Sequence, residues 1–219
     1  MKKSINYLRN ILYLLVFIGF SIARAGSYED FFQAVEHDDD AKVSQLLGRG
    51  FDANTVGPSG SPALMQAIRA PAPKVIGLLL KAPGIRAEVR NDKDESALML
   101  AALAGMRDAC VRLIALDADV NKTGWTPLHY AATGGDEAVI RLLLAHYAYI
   151  DAESPNQTTP LMMAAMYGST AGVKLLLEAG ADATLRNAAG LSALDFAQRG
   201  ERPDAYAAIS GHLKALAEK

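Results

Sequence analysis

One cysteine, one tryptophan and four histidines are all that the 219 residues contain of those types. A single thiol excludes an internal disulfide, and with it a disulfide-stapled scaffold. The histidines are scattered, and no zinc spacing, phosphate loop or Gly-x-Ser-x-Gly turn occurs, so no cofactor or metal is expected. Aromatic residues make up only 7% of the chain. With Ala and Leu abundant, that favours helix over a β-sandwich. Neither charge dominates: 22 Lys and Arg stand against 24 Asp and Glu. An electrostatic grip on nucleic acid is therefore not expected. Apolar residues, in contrast, are plentiful at 51%. That is enough for a sizeable core and too much for a disordered chain.

Residues 1–25 read as an address. Lys2, Lys3 and Arg9 form a positive start, Ile11–Phe20 is an apolar run, and Ala23-x-Ala25 is a small-residue cleavage pattern. This is the pattern of a secretory signal peptide, pointing to a periplasmic destination. A helix of such a run spans about 15 Å, half of a bilayer core, which argues against a retained anchor. Its removal takes away four cations and no acid, moving the formal charge from −2 to −6. No membrane association is expected afterwards.

The rest of the chain repeats. Phe31, Leu64, Leu98, Leu128, Leu161 and Leu194 recur at spacings of 33, 34, 30, 33 and 33 residues within similar short segments. Twelve residues after the first five stand Val43, Ile76, Cys110, Ile140 and Val173, each followed three and four residues later by an aliphatic pair such as Leu143-Leu144. That i, i+3, i+4 spacing makes one apolar stripe on a helix. Most units close with a turn of the type Gly50-Phe51-Asp52, Asp117-Ala118-Asp119 or Gly180-Ala181-Asp182.

Thr126-Pro127-Leu128-His129-Tyr130-Ala131-Ala132 and Leu175-Leu176-Leu177-Glu178-Ala179-Gly180-Ala181-Asp182 carry a clear likeness. The chain resembles the ankyrin-repeat family. The resemblance implies an all-α solenoid of about six helix-turn-helix repeats with β-hairpin fingers, near 27–57, 58–91, 92–121, 122–154, 155–187 and 188–219. The physics agrees: Thr126 suits a helix cap, Pro127 its first turn, and no unit can bury its apolar face alone. The resemblance also implies that His129 makes structural hydrogen bonds to the adjoining loop. Met65, Met99 and Met162 replace it in sister units.

Departures from the pattern predict local differences. Asp117 and Tyr147 stand where glycine is usual. Tyr tolerates a left-handed backbone poorly, so a non-standard turn is expected after the fourth unit. Ala82-Pro83-Gly84 should disturb the second unit's turn. The link Asn121-Lys122-Thr123-Gly124 is three residues short, which predicts a stunted finger.

Candidate chemistry is sparse. Cys110 stands in a core register, where a thiol behaves as a small hydrophobe. Asp117–Asn121 lacks the glycine and glutamate of a calcium loop. His37-Asp38-Asp39-Asp40 reads as a capped turn rather than a metal site. A small hydrolase on this scaffold would need a pocket with a perturbed Asp or His, and the repeats leave few residues to build one.

The resemblance implies protein binding on the concave face of first helices and fingers. Exposed helix positions five and six residues after the anchors are Glu36, His37, Arg69, Ala70, Leu103, Ala104, Thr133, Gly134, Met166, Tyr167, Arg199 and Gly200. Finger positions add Asp92, Lys93, Glu95, Lys122, Trp125, Asn156, Thr158 and Leu191. Leu103, Trp125, Met166 and Tyr167 are large apolar groups at positions expected to face water, the mark of an interaction patch. Tyr147 and Tyr149 form a second aromatic candidate on the opposite rim. The expected role is a non-catalytic, monomeric, exported module that binds another protein. That partner is either a toxin it neutralises as an immunity protein or inhibitor, or a periplasmic oxidative-stress enzyme it supports.

Overall fold

A computed structural model of the protein describes residues 26–218. The export signal read in residues 1–25 lies outside the described residues. Twelve helices occur among the described residues, in six successive pairs: α1 (26–36) with α2 (Asp40–Gly48), α3 (Ala63–Arg69) with α4 (Pro73–Leu79), α5 (Ala97–Leu103) with α6 (Arg107–Ala115), α7 (Pro127–Gly134) with α8 (Glu137–Ala145), α9 (Pro160–Met166) with α10 (Thr170–Glu178), and α11 (Ala193–Arg199) with α12 (Pro203–Ala217). No helix among them is long and apolar enough to cross a membrane. The chain is an all-α solenoid. Its fingers hold no strand among the described residues, only the antiparallel bridges Val56–Pro62, Arg90–Ser96 and Arg186–Ser192.

Four of the first helices start where the sequence supplies a side-chain cap, whereas α3 starts after Pro62, which makes no such bond. Ser96, Thr126, Thr159 and Ser192 accept from the backbone N–H three residues on, and each cap's own N–H donates back to the side chain there. The partners in that return bond are Met99, His129, Met162 and Asp195, so a thioether, an imidazole and a carboxylate serve one structural purpose. Pro127 and Pro160 occupy first-turn positions that need no N–H.

The anchors form the core. Phe31, Leu64, Leu98, Leu128 and Leu161 are buried, as are Val43, Ile76, Cys110, Ile140 and Val173 twelve residues later. Burying each such side chain contributes roughly 1.5–3 kcal/mol. The alanine pairs 101–102, 131–132 and 164–165 are fully buried, and they let α5, α7, α9 and α11 pack side by side. The last pair among the described residues differs from the others. There Leu194 is half-buried, and Tyr206, twelve residues on in the core register, is 43% exposed.

Turns after the second helices share one geometry. Phe51, Ala118, Ala148 and Ala181 each donate to the carbonyl five residues back, at 2.9–3.1 Å. The turn after α8 is therefore standard, against expectation: Tyr147 adopts φ +63° to fit it, beside Asp117 at +61° and Gly180 at +99°. The registry of the turn prevails over the preference of one residue. Two asparagines tie these turns together. Asn54 donates to the Gly84 carbonyl and accepts from the Arg86 N–H, and Asn121 does the same with Tyr147 and Tyr149. The second unit departs as its Ala82-Pro83-Gly84 segment foretold, closing with Ile85 N–H to Ala82.

Candidate functional site

The fingers position the site. Asn91 and Asn187 each accept, through the side-chain oxygen, from the N–H groups two and four residues on. The short finger after Asn121 makes no such bridge, and a lysine takes its place. The Lys122 ammonium binds Asp94 at 2.5 Å and the carbonyls of Thr123 and Trp125 at 3.0 and 3.1 Å. Its side chain is 2% exposed against 61% for Asp94. Lys122 is thus an internal strut, which corrects its placement on the exposed finger surface. The Lys122 ammonium in turn holds the Asp94 carboxyl below its usual range.

Thr158 is a second correction, because it is buried. Its carbonyl accepts from His129 Nε2 at 2.8 Å and its N–H donates to Ser154 Oγ at 3.0 Å. The carbonyl thus links one unit's first helix to the next unit's finger. The other imidazole nitrogen, Nδ1, faces the N–H and hydroxyl of Thr126. Burial lowers the His129 pKa to about 4, so the ring is neutral and both nitrogens are occupied. It cannot serve as a free base or ligand.

Above that histidine lies a groove of about 230 Å³, lined by Leu103, Trp125, His129, Tyr130, Thr133 and Met163. Trp125 stands edge-on to the His129 ring, with centroids 5.2 Å apart, and is half-buried. At its margin, Glu95 ties three units together. It pairs with Arg69 at 2.5 Å and accepts from Asn91 at 2.8 Å and from the Tyr130 hydroxyl at 3.1 Å. Burial, then Glu95, push the Tyr130 phenol up to about 12. Every buried side-chain nitrogen or oxygen among the described residues has a partner.

The structure therefore gathers Leu103, Trp125 and Thr133 into one groove and sets Arg69 and Glu95 beside it. Tyr167, exposed, and Met166, half-buried, end α9 without lining it. Asp92 and Lys93 are exposed at a finger tip, Asn156 is exposed two residues before Thr158, and Arg199 is exposed at the end of α11. Sequence reasoning missed Tyr130 and Met163, two residues after their anchors. The helical stripe Tyr130, Thr133, Gly134 held the signal.

Other candidates resolve as structure. Cys110 is buried, and burial pushes its thiol up to about 12. Asp39 caps α2, and Asp38 accepts from the Val75 N–H at 2.9 Å. No group of three or more metal-ligating side chains occurs among the described residues.

Comparison with known proteins gives one consistent likeness. The family description "Ankyrin repeats (3 copies)" matches residues 31–123 and 98–187. Neurogenic locus notch homolog protein 1 of Xenopus tropicalis is 36% identical over 143 residues, 62% of this chain and 6% of that protein. SH3 and multiple ankyrin repeat domains protein 2 of Homo sapiens is 31% identical over 73% of this chain and 9% of its own length. The chain thus spans a small fraction of these curated relatives. A chain of the solved complex of a predatory endopeptidase from Bdellovibrio bacteriovorus with an immunity protein aligns at TM-score 0.72 and 28% identity. The match covers 83% of this chain and 97% of that one.

Proposed function

Because this chain belongs to the ankyrin-repeat family, we propose that it is a non-catalytic, exported module that captures a protein in the periplasm through the face of its first helices and fingers. One observation carries the reading. The groove of Leu103, Trp125, Tyr130, Thr133 and Met163 is apolar and open, while the titratable groups around it are tied to one another. Such a surface binds, with Trp and Tyr as anchors, and offers no free acid, base or nucleophile.

The finer reading is an immunity protein that masks an enzyme. It is favoured by the likeness to the endopeptidase–immunity protein complex, whose match covers nearly the whole of that chain. The test uses the full mature chain as bait in periplasmic extract, compared with Leu103→Asp and Trp125→Ala. Loss of the captured protein in both variants, with helicity retained, is expected; capture unchanged in both refutes the face. Adding the purified chain to the captured enzyme then separates the roles. Lowered turnover fits immunity, and raised turnover or longer lifetime fits a support factor.

A further inference from the structure

The turn after α8 departs from its counterparts twice, and both times toward tyrosine. Tyr147 stands where other units place Gly50, Asp117 and Gly180, and Tyr149 where they place Asp52, Asp119 and Asp182. Neither ring is used inside the molecule. Tyr147 is 85% exposed and Tyr149 67%, and among the described residues neither has a ring partner or a hydrogen bond to its hydroxyl. Tyr147 moreover holds φ +63°, which bulky side chains avoid. The backbone that carries the two tyrosines is already fixed, since the Asn121 side chain binds both residues' main-chain groups at 2.7 and 2.8 Å. Rigid aromatic groups lose little further freedom on binding.

Carboxylates recur around this turn in the repeat register. Asp117 and Asp119 hold the same register in the preceding turn, Asp182 does so in the following one, and Asp151 lies two residues beyond Tyr149. Arg90, which pairs with Asp119, is committed to Glu88 and Asp94 as well. Tyrosine ring faces are electronegative and attract cations. We infer that Tyr147 and Tyr149 form a second docking surface, separate from the groove, for a basic segment of a protein partner. An arginine or lysine of that segment lies over the rings and faces the carboxylates. A second copy of the chain fits poorly, since it would set these carboxylates against their own kind.

The test labels the tyrosine rings of the full chain with 13C and titrates two short peptides that differ only in carrying arginine or glutamate. The arginine peptide is expected to shift the Tyr147 and Tyr149 resonances saturably, and the glutamate peptide to leave them unmoved. Tyr147→Gly combined with Tyr149→Ala leaves the net charge unchanged. It is expected to weaken binding about tenfold without lowering the melting temperature. Leu103→Asp, which alters only the groove, is expected to leave this affinity intact. Equal response to both peptides, no saturable shift, undiminished affinity in the double variant, or loss in Leu103→Asp each overturns the assignment. So does movement of the rings with protein concentration alone, which marks a second copy as the occupant.

Discussion

His129 donates from Nε2 to the carbonyl of Thr158 at 2.8 Å, so a neutral imidazole joins the fourth unit to the fifth. Burial lowers its pKa from 6.5 to about 4. The unfolded chain takes up a proton as pH falls through 6.5, while the folded one resists until about 4. Stability is therefore full above the unfolded value and is lost as pH drops through that window, by up to about 3 kcal/mol. Urea unfolding at neutral pH and near pH 4 should show this loss. His129→Met, which copies Met65, Met99 and Met162, should remove most of it. At neutral pH that variant should cost roughly 1–2 kcal/mol, because the Thr158 carbonyl loses its donor. The account fails if the variant retains the full acid dependence.

Lys122 supports a further prediction. Its ammonium replaces the residues the short finger lacks, binding two carbonyls and Asp94 from a buried position. Lys122→Met leaves both carbonyls without that donor and should cost roughly 2–4 kcal/mol. Lys122→Arg should not rescue, since a planar fork does not match three convergent acceptors. Asp94→Asn should cost less than either, because Asp94 is open to solvent. The order of the urea midpoints checks this ranking.

Much of this was legible in the sequence. The anchor spacing fixed the helix pairs, and the residues twelve positions on are buried as their register requires. Cys110 fell into that register and behaves as its neighbours do. The missing finger residues were legible too, but not what filled the gap. A lysine in a loop ordinarily faces water, and only the fold brings Asp94 within its reach. Thr158 was hidden for a similar reason, because its burial depends on His129 of the unit before. The groove was half visible. Positions five and six after each anchor gave Leu103 and Thr133, while Tyr130 and Met163 enter because the same helical stripe starts three residues earlier.

Glycines make the stacking testable. A Cβ at Gly168 would lie 2.1 Å from the Ala132 carbonyl oxygen of the preceding unit, a backbone atom that cannot swing aside. Gly168→Ala must push two units apart and should lose roughly 1–3 kcal/mol. Gly77, within α4, has nothing within 4 Å of its would-be Cβ. Gly77→Ala should gain roughly 0.5–1 kcal/mol through helix propensity. Opposite shifts in melting temperature are expected, and shifts of the same sign would contradict the packing.

Tyr147 provides the last prediction, because its strain and its anchoring act in opposite senses. Its left-handed backbone disfavours an L side chain by roughly 1–2 kcal/mol, and glycine carries no such cost. The exposed ring has no partner to lose among the described residues, so Tyr147→Gly should raise stability by about 1 kcal/mol after the greater freedom of unfolded glycine is allowed for. Asn121→Ala should do the reverse, since it frees the Tyr147 carbonyl and the Tyr149 N–H together. Those groups are exposed to water once freed, so the loss should be about 1 kcal/mol. If Asn121 holds the strained residue in place, the two substitutions are coupled: Asn121→Ala should cost less in the Tyr147→Gly background, where the turn forms unaided. A double-mutant cycle by urea unfolding reads that coupling directly. Strict additivity would show that Asn121 only joins two turns and does not hold the strain.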